Sequence, residues 1–99
     1  MRPRISFPIR VFRAVDRSME PSIAEGDYLL VNTWWSMLRP GDVVVALHPH
    51  TGMYIVKRIR RSSRGGYFLV GDNAAHSIDS RSFGPVSARG IVGKVAVKV

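Results

Sequence analysis

Cysteine is absent from the 99-residue sequence, which excludes disulfide bonds, thiolate metal sites and cysteine nucleophiles. A domain without disulfides rests on its hydrophobic core alone, as is usual for a cytoplasmic protein. The histidines His48, His50 and His76 have no partners at zinc-site spacing, so we expect neither a metal nor another cofactor. Long apolar runs are also lacking, because the longest, Val43–Leu47, is far shorter than the roughly 20 residues of a transmembrane helix.

Acidic residues are scarce: 15 Lys and Arg stand against 7 Asp and Glu, a formal net charge of +8. This balance suits nucleic acid, an anionic membrane surface or an acidic protein. We interpret the densest basic cluster, residues 57–64, as a solvated strand end and turn in preference to a nucleic-acid site. The basic N-terminal segment through Arg13 has no apolar block and is predicted to be neither a secretory signal nor an anchor. A cytoplasmic protein is expected, with peripheral membrane association as the alternative.

Short β-branched runs between Gly and Pro turn signals predict a mainly β fold with little helix. We expect one domain over residues 1–99, with its core at about residues 9–99, built as a small curled antiparallel sheet that is barrel-like. Residues 34–39 could form a loop or one helical turn, residues 62–66 a polar hairpin turn, and residues 74–89 a loop. The predicted strands are residues 9–15, 28–32, 42–47, 53–61, 67–70 and 91–99.

Lys57 falls on the apolar side of its predicted strand. With a period of two, Met53, Ile55 and Ile59 share its face, whereas Arg58 lies on the other. An ammonium among apolar groups loses hydration, which lowers its pKa and makes the neutral amine accessible. A neutral lysine can take the proton of a serine hydroxyl in place of histidine. The alternative is that the Lys57 stem lies on the core while its ammonium reaches water.

Ser18 precedes Met19, Glu20 and Pro21, and by itself this segment is also typical of a simple turn. Read together with Lys57, however, it is part of a larger pattern. The chain from about residue 15 to residue 99 resembles the serine–lysine peptidases of the type I signal peptidase family. The resemblance lies in five segments in order: 18–23 (SMEPSI), 26–31 (GDYLLV), 39–45 (RPGDVVV), 56–59 (VKRI), and 71–73 (GDN) with 77–81 (SIDSR) and 84–86 (GPV).

This resemblance implies a serine endopeptidase with a Ser–Lys dyad. Ser18 would attack the scissile carbonyl, and its backbone N–H would be one oxyanion donor. Lys57 would act as general base and then donate a proton to the leaving amine, while Ser77 would orient the Lys57 amine. Supporting roles fall to Asp72 and Asn73, which would fix the turn that presents Ser77, and to the pair Asp79 and Arg81, which would hold that loop against the site.

Asp16 departs from the family pattern. Many relatives carry a small or hydroxyl residue two positions before the nucleophile, and that side chain donates to the oxyanion. An ionised aspartate can only accept hydrogen bonds, so the second oxyanion donor stays unassigned.

Within the family, the chain most resembles the short nickel-type superoxide dismutase maturation proteases. The partner implied is a precursor protein, from which the N-terminal leader is removed. General leader processing of exported proteins is an alternative. So is a self-cleaving repressor-type peptidase, although 17 residues before Ser18 leave no room for a helix-turn-helix domain. A third alternative is a non-enzymatic basic β-domain, in which Trp34, Trp35 and the arginines bind nucleic acid or an anionic surface.

Overall fold

A computed structural model describes residues 8–99, so the beginning of the basic N-terminal segment lies outside the described residues. Six strands form one antiparallel sheet in the order β1-β2-β6-β3-β4-β5. The strands are β1 (Ile9–Arg13), β2 (Tyr28–Asn32), β3 (Val43–Leu47), β4 (Tyr54–Ser63), β5 (Gly66–Val70) and β6 (Ile91–Lys98). The helix α1 (Ser80–Phe83) and two 3-10 turns, Ala74–His76 and Ala88–Gly90, lie between β5 and β6.

The six predicted strands are confirmed, with differences at their ends. β4 continues to Ser63 and β5 begins at Gly66, so the hairpin turn is shorter than predicted and includes Gly65 at φ +88°. Residues 34–39 contain no regular element. The region predicted as a loop, residues 74–89, contains α1, because Asp79 caps its N-terminus by accepting the Arg81 backbone N–H.

The strand β3 lies at the centre of the molecule and is buried on both faces. Val45 packs in one apolar cluster with Met19 and Ile23, whereas its neighbours Val44 and Ala46 pack in a second. Alternate residues of a strand point to opposite faces, so β3 separates the two clusters. Ser18 therefore precedes a segment anchored in the first cluster, while Ile59 on the strand of Lys57 belongs to the second.

The sheet curls but is not closed into a barrel. The strands β1 and β4 are not neighbours in the sheet, yet the Phe12 and Tyr54 rings meet edge to face at 5.2 Å between centroids. The Arg10 guanidinium lies 4.8 Å from the Phe12 centroid and 5.8 Å from that of Tyr54. This contact brings the ends of β1 and β4 together around a cleft. None of the described residues forms a helix long and apolar enough to cross a membrane.

Candidate active site

Ser18 lies in the turn between β1 and β2 and is 3% exposed. The buried side chains of Met19 and Ile23 anchor the segment that follows in the core. Asn73 holds the same segment from the other side: its backbone N–H donates to the Ser18 carbonyl oxygen at 2.8 Å, and its side-chain amide donates to the Arg17 carbonyl oxygen at 3.1 Å. The Ser18 backbone is therefore fixed both by apolar packing and by hydrogen bonds.

Lys57 is also buried, with 3% of its surface exposed, opposite Val44 of β3. The predicted shared face is confirmed for Ile59, which is buried, and for Ile55, which packs against the same cluster. Met53 is an exception at 68% exposure, because β4 begins only at the next residue. The alternative of a solvated ammonium does not fit this burial. Desolvation lowers the pKa of Lys57, although the carboxylates of Asp16 and Asp79 oppose the shift.

A chain of hydrogen bonds extends from the Lys57 amine into the loop after β5. Lys57 Nζ donates to Ser77 Oγ at 3.1 Å, and Ser77 Oγ donates to Asp79 Oδ2 at 2.6 Å. Asp79 also accepts from Arg81 Nη2 at 2.6 Å and from the Gly71 backbone N–H at 2.8 Å. Burial alone would raise the pKa of Asp79, but these hydrogen bonds outweigh it and hold the pKa well below its usual range. Asp79 thus remains a carboxylate that fixes the Ser77 hydroxyl.

Gly71 is where the serine segment and the lysine network meet. A Cβ atom on this residue would overlap Ser77 Oγ and would lie 2.6 Å from the Ser18 carbonyl oxygen. Gly71 thus lies against both the Ser18 backbone and Ser77, which is the hydrogen-bond acceptor of Lys57. No hydrogen bond joins Ser18 Oγ directly to Lys57 Nζ among residues 8–99, and such bonds often tighten only when substrate binds.

Asp72 receives two hydrogen bonds from Arg58 of β4, Nε to Oδ1 at 2.9 Å and Nη2 to Oδ2 at 2.8 Å. Its role in fixing the turn that presents Ser77 stays a prediction. Ser22 Oγ donates to the same carboxylate at 2.6 Å. Asn73 likewise bonds to the Ser18 segment, as described above. Asp72 therefore connects Ser22 to Arg58 of β4, and Asn73 connects the Ser18 backbone to the loop after β5.

The backbone N–H of Ser18 is the predicted oxyanion donor, and the structure gives it a partner. It donates to Asp16 Oδ1 at 3.0 Å. The sequence indicates that an ionised Asp16 cannot donate a hydrogen bond, but it does not predict this bond to the Ser18 N–H. A carboxylate at this position takes up the hydrogen that a developing oxyanion would need.

An apolar cleft of about 290 Å³ opens beside Ser18. Its walls come from the end of β1 and the residues after it on one side and from the start of β4 on the other. Ser18 and Asp16 line it together with apolar side chains that include Phe12, Tyr54 and Val56. Apolar side chains with a few polar groups are the typical lining of a ligand-binding cleft.

Sequence reasoning missed Arg58, Ser22 and Gly71. The alternation in β4 placed Arg58 on the solvent side, which is correct for its face, but its partner Asp72 arrives from a loop 14 residues later. Gly71 carried a signal, since a glycine directly before Asp72 and Asn73 indicates a close backbone approach. The remaining basic residues of the cluster, Arg60, Arg61 and Arg64, are exposed, as predicted for a solvated strand end.

Comparison with known proteins finds a matching family and two similar proteins. The sequence matches the family described as Peptidase S24-like over residues 5–96. Signal peptidase I V of Bacillus subtilis (strain 168) is 43% identical over 49 residues, which cover 46% of this chain and 29% of that protein. Mitochondrial inner membrane protease subunit 1 of Xenopus tropicalis is 29% identical over 106 residues, covering 83% of this chain and 64% of that protein. The chain thus spans less than two thirds of the length of either relative.

Proposed function

The chain belongs to the Peptidase S24-like family, and from that premise we propose that it is a serine endopeptidase with a Ser18–Lys57 dyad. The observation that carries the proposal is the buried Lys57 amine, which donates a hydrogen bond to Ser77 Oγ at 3.1 Å. Gly71 lies against both Ser77 Oγ and the Ser18 carbonyl oxygen. A buried lysine without a bonded carboxylate is costly to a small domain. Supplying a neutral base to an adjacent hydroxyl explains why that cost is retained.

In the proposed reaction, Lys57 transfers one proton at each step. Neutral Lys57 accepts the Ser18 hydroxyl proton as Ser18 Oγ bonds to the scissile carbonyl carbon, whose oxygen becomes an oxyanion. The resulting Lys57 ammonium gives that proton to the leaving amine nitrogen as the C–N bond breaks. Lys57 then takes a proton from the water that attacks the acyl ester, and returns this proton to Ser18 Oγ as the ester C–O bond breaks, which leaves a carboxylic acid product, free Ser18 and neutral Lys57. Throughout, Ser77 Oγ accepts a hydrogen bond from Lys57 Nζ. Asp79, which is itself held by Arg81, keeps Ser77 in place.

We infer that the substrate is a precursor protein from which an N-terminal leader is removed. The apolar cleft between β1 and β4 accommodates an extended chain, which is the form a leader presents to a protease. Within this class, the short spacing between residues 43–49 and 56–58 favours the nickel-type superoxide dismutase precursor. Leader removal from exported proteins is the alternative, favoured by the similarity to a protein named signal peptidase. We propose that the protein acts in the cytoplasm, with peripheral membrane association as the alternative.

The test is cleavage of purified candidate precursors, with the new N-terminus read by mass spectrometry. Ser18→Ala and Lys57→Ala should each abolish cleavage. The matched controls Ser36→Ala and Lys98→Ala remove an exposed serine and an exposed lysine, and should leave cleavage unchanged. Near-normal turnover in Lys57→Ala would refute the dyad. Binding of an oligonucleotide that falls steeply with salt, together with cleavage indifferent to Ser18→Ala, would favour the non-enzymatic alternative.

A further inference from the structure

The hydrogen bond between Asp16 and Ser18 places a negative charge where the proposed reaction would develop one. Attack on a carbonyl converts its oxygen to an oxyanion, which backbone N–H groups stabilise only if their hydrogens point at it. The Ser18 N–H points instead at Asp16 Oδ1, 3.0 Å away. A carboxylate both occupies this donor and repels an incoming oxyanion, so the site as folded cannot stabilise the tetrahedral intermediate through Ser18.

The Asp16 carboxylate is free to move, because Asp16 is exposed whereas Ser18 is buried. A carboxylate that rotates away from Ser18 enters the solvent and stays hydrated. Asp16 also lines both the apolar cleft and a groove shared with His76, Ser77 and Ile78. A polypeptide that runs from one depression into the other passes over Asp16. Substrate binding therefore competes with the bond between Asp16 and the Ser18 N–H.

Asp16 acts on the base in the same direction. Its charge raises the pKa of Lys57 against the effect of burial, which favours the protonated amine that cannot accept the Ser18 proton. Displacement of the Asp16 carboxylate towards water would weaken this effect. One movement would thus free the oxyanion donor and favour the neutral base.

We propose that Asp16 is an autoinhibitory residue whose carboxylate occupies the oxyanion donor of Ser18 until a bound polypeptide displaces it. The proposal rests on the proposed Ser18 peptidase function. It assigns the resting protein a blocked site, so that peptide bonds are attacked only where the chain fills both depressions. The competing explanation is that Asp16 merely shapes the turn that presents Ser18, in which case its removal should impair the site.

Three variants separate these explanations. Asp16→Ala removes the acceptor, Asp16→Ser replaces it with a hydroxyl that can donate, and Asp16→Asn keeps an acceptor oxygen without the charge. With a fluorogenic peptide spanning the cleavage site, kcat/KM should rise by about tenfold for Asp16→Ala and further for Asp16→Ser, because one oxyanion donor is worth about 100-fold in typical hydrolases. Asp16→Asn should give a smaller rise.

Binding of a peptide boronate separates an effect of Asp16 on the oxyanion donor from a purely structural role of Asp16. The boronate bonds to the serine oxygen and places an anionic oxygen in the oxyanion position, so its Ki should fall about tenfold in Asp16→Ala. The affinity of the uncleaved peptide, measured in a Ser18→Ala background, should also rise in Asp16→Ala but by a smaller factor, because the peptide no longer has to displace the Asp16 carboxylate and develops no oxyanion. Asp42→Ala is the matched control, because Asp42 likewise caps a turn by accepting the Arg39 backbone N–H at 2.9 Å and lies away from Ser18.

The outcomes distinguish failure of autoinhibition by Asp16 from failure of the proposed peptidase function. Cleavage that depends on Ser18 but falls in Asp16→Ala, with weaker boronate binding, would overturn autoinhibition and leave the peptidase intact. Absence of Ser18-dependent cleavage and of boronate binding in the wild type would overturn both. If Asp16→Ala does not fold, Asp16→Asn decides: a rise in kcat/KM supports the proposal, and no change or a fall rejects it.

Discussion

The Lys57 amine donates to Ser77 Oγ at 3.1 Å, while the Ser77 hydroxyl gives its own hydrogen to Asp79 at 2.6 Å. Ser77 can therefore only accept from Lys57, which consumes an N–H of the amine and not its lone pair. A neutral Lys57 held in this way keeps its lone pair for another proton donor. The Ser18 hydroxyl is the donor that the proposed chemistry requires.

Ser77→Ala should lower kcat by about tenfold with little change in KM, because one hydrogen bond that orients the base is worth roughly 1 kcal/mol. The measurement is steady-state cleavage of a peptide substrate. Ser82→Ala, which removes an exposed hydroxyl from α1 in the same loop, is the matched control. An unchanged kcat in Ser77→Ala would show that Lys57 is positioned without Ser77.

The pH dependence of cleavage should follow Lys57. Only the neutral amine can accept a proton, so kcat/KM should rise as pH rises through the pKa of Lys57. Burial lowers that pKa, which places the midpoint of the rise below the ordinary value of 10.5. A pH profile of kcat/KM over the stable range checks this. A profile that stays flat up to pH 10, or that falls with rising pH, would contradict Lys57 as the base.

Lys57→Met should be inactive and more stable. The unfolded chain keeps Lys57 protonated up to about its ordinary pKa, whereas the folded chain loses the proton at lower pH. The unfolded state thus binds more protons between the two values, so wild-type stability rises with pH across that window, and burial of the ammonium costs stability below it. An apolar side chain of similar shape removes this cost, and urea denaturation at pH 7 should show a gain of about 1 kcal/mol. A loss of stability would mean that the hydrogen bond to Ser77 and the charges of Asp16 and Asp79 outweigh the cost of burying the Lys57 ammonium.

The sequence was sufficient to predict the strands and the inward face of Lys57. Both follow from local patterns: β-branched runs such as Val43–Leu47 between turn residues, and the period-two placement of Ile55, Lys57 and Ile59. The pairing of Asp79 with Arg81 came from the family resemblance and is present at 2.6 Å. These features depend on neighbours in the chain or on motifs read as units.

Contacts between distant segments could not be predicted in this way. Arg58 meets Asp72 and Asp72 meets Ser22 only after three segments have come together, and no periodicity encodes that meeting. Asp16 was recognised as unable to donate, but whether its carboxylate turned to solvent or to the Ser18 N–H depends on the local turn. The period-two pattern also predicted that Met53 shares the face of Lys57, but β4 begins only at Tyr54 and Met53 is exposed.

Gly71→Ala tests whether the serine segment and the lysine network depend on one close approach. An added Cβ would collide with Ser77 Oγ and with the Ser18 carbonyl oxygen, and the latter is backbone held by Asn73. The displacement should lower kcat/KM by about 100-fold, since misplacement of reacting groups by 1 Å has costs of that size. Overpacking should also reduce the free energy of unfolding by about 2 kcal/mol.

Gly65→Ala is the control for Gly71→Ala because it separates lost stability from lost geometry. Gly65 has a φ of +88°, so an alanine there is strained, but nothing lies within 4 Å of the added Cβ. It should cost about 1 kcal/mol of stability and leave cleavage intact. If Gly71→Ala cleaves as well as Gly65→Ala at temperatures where both are folded, the close approach at Gly71 does not position the site.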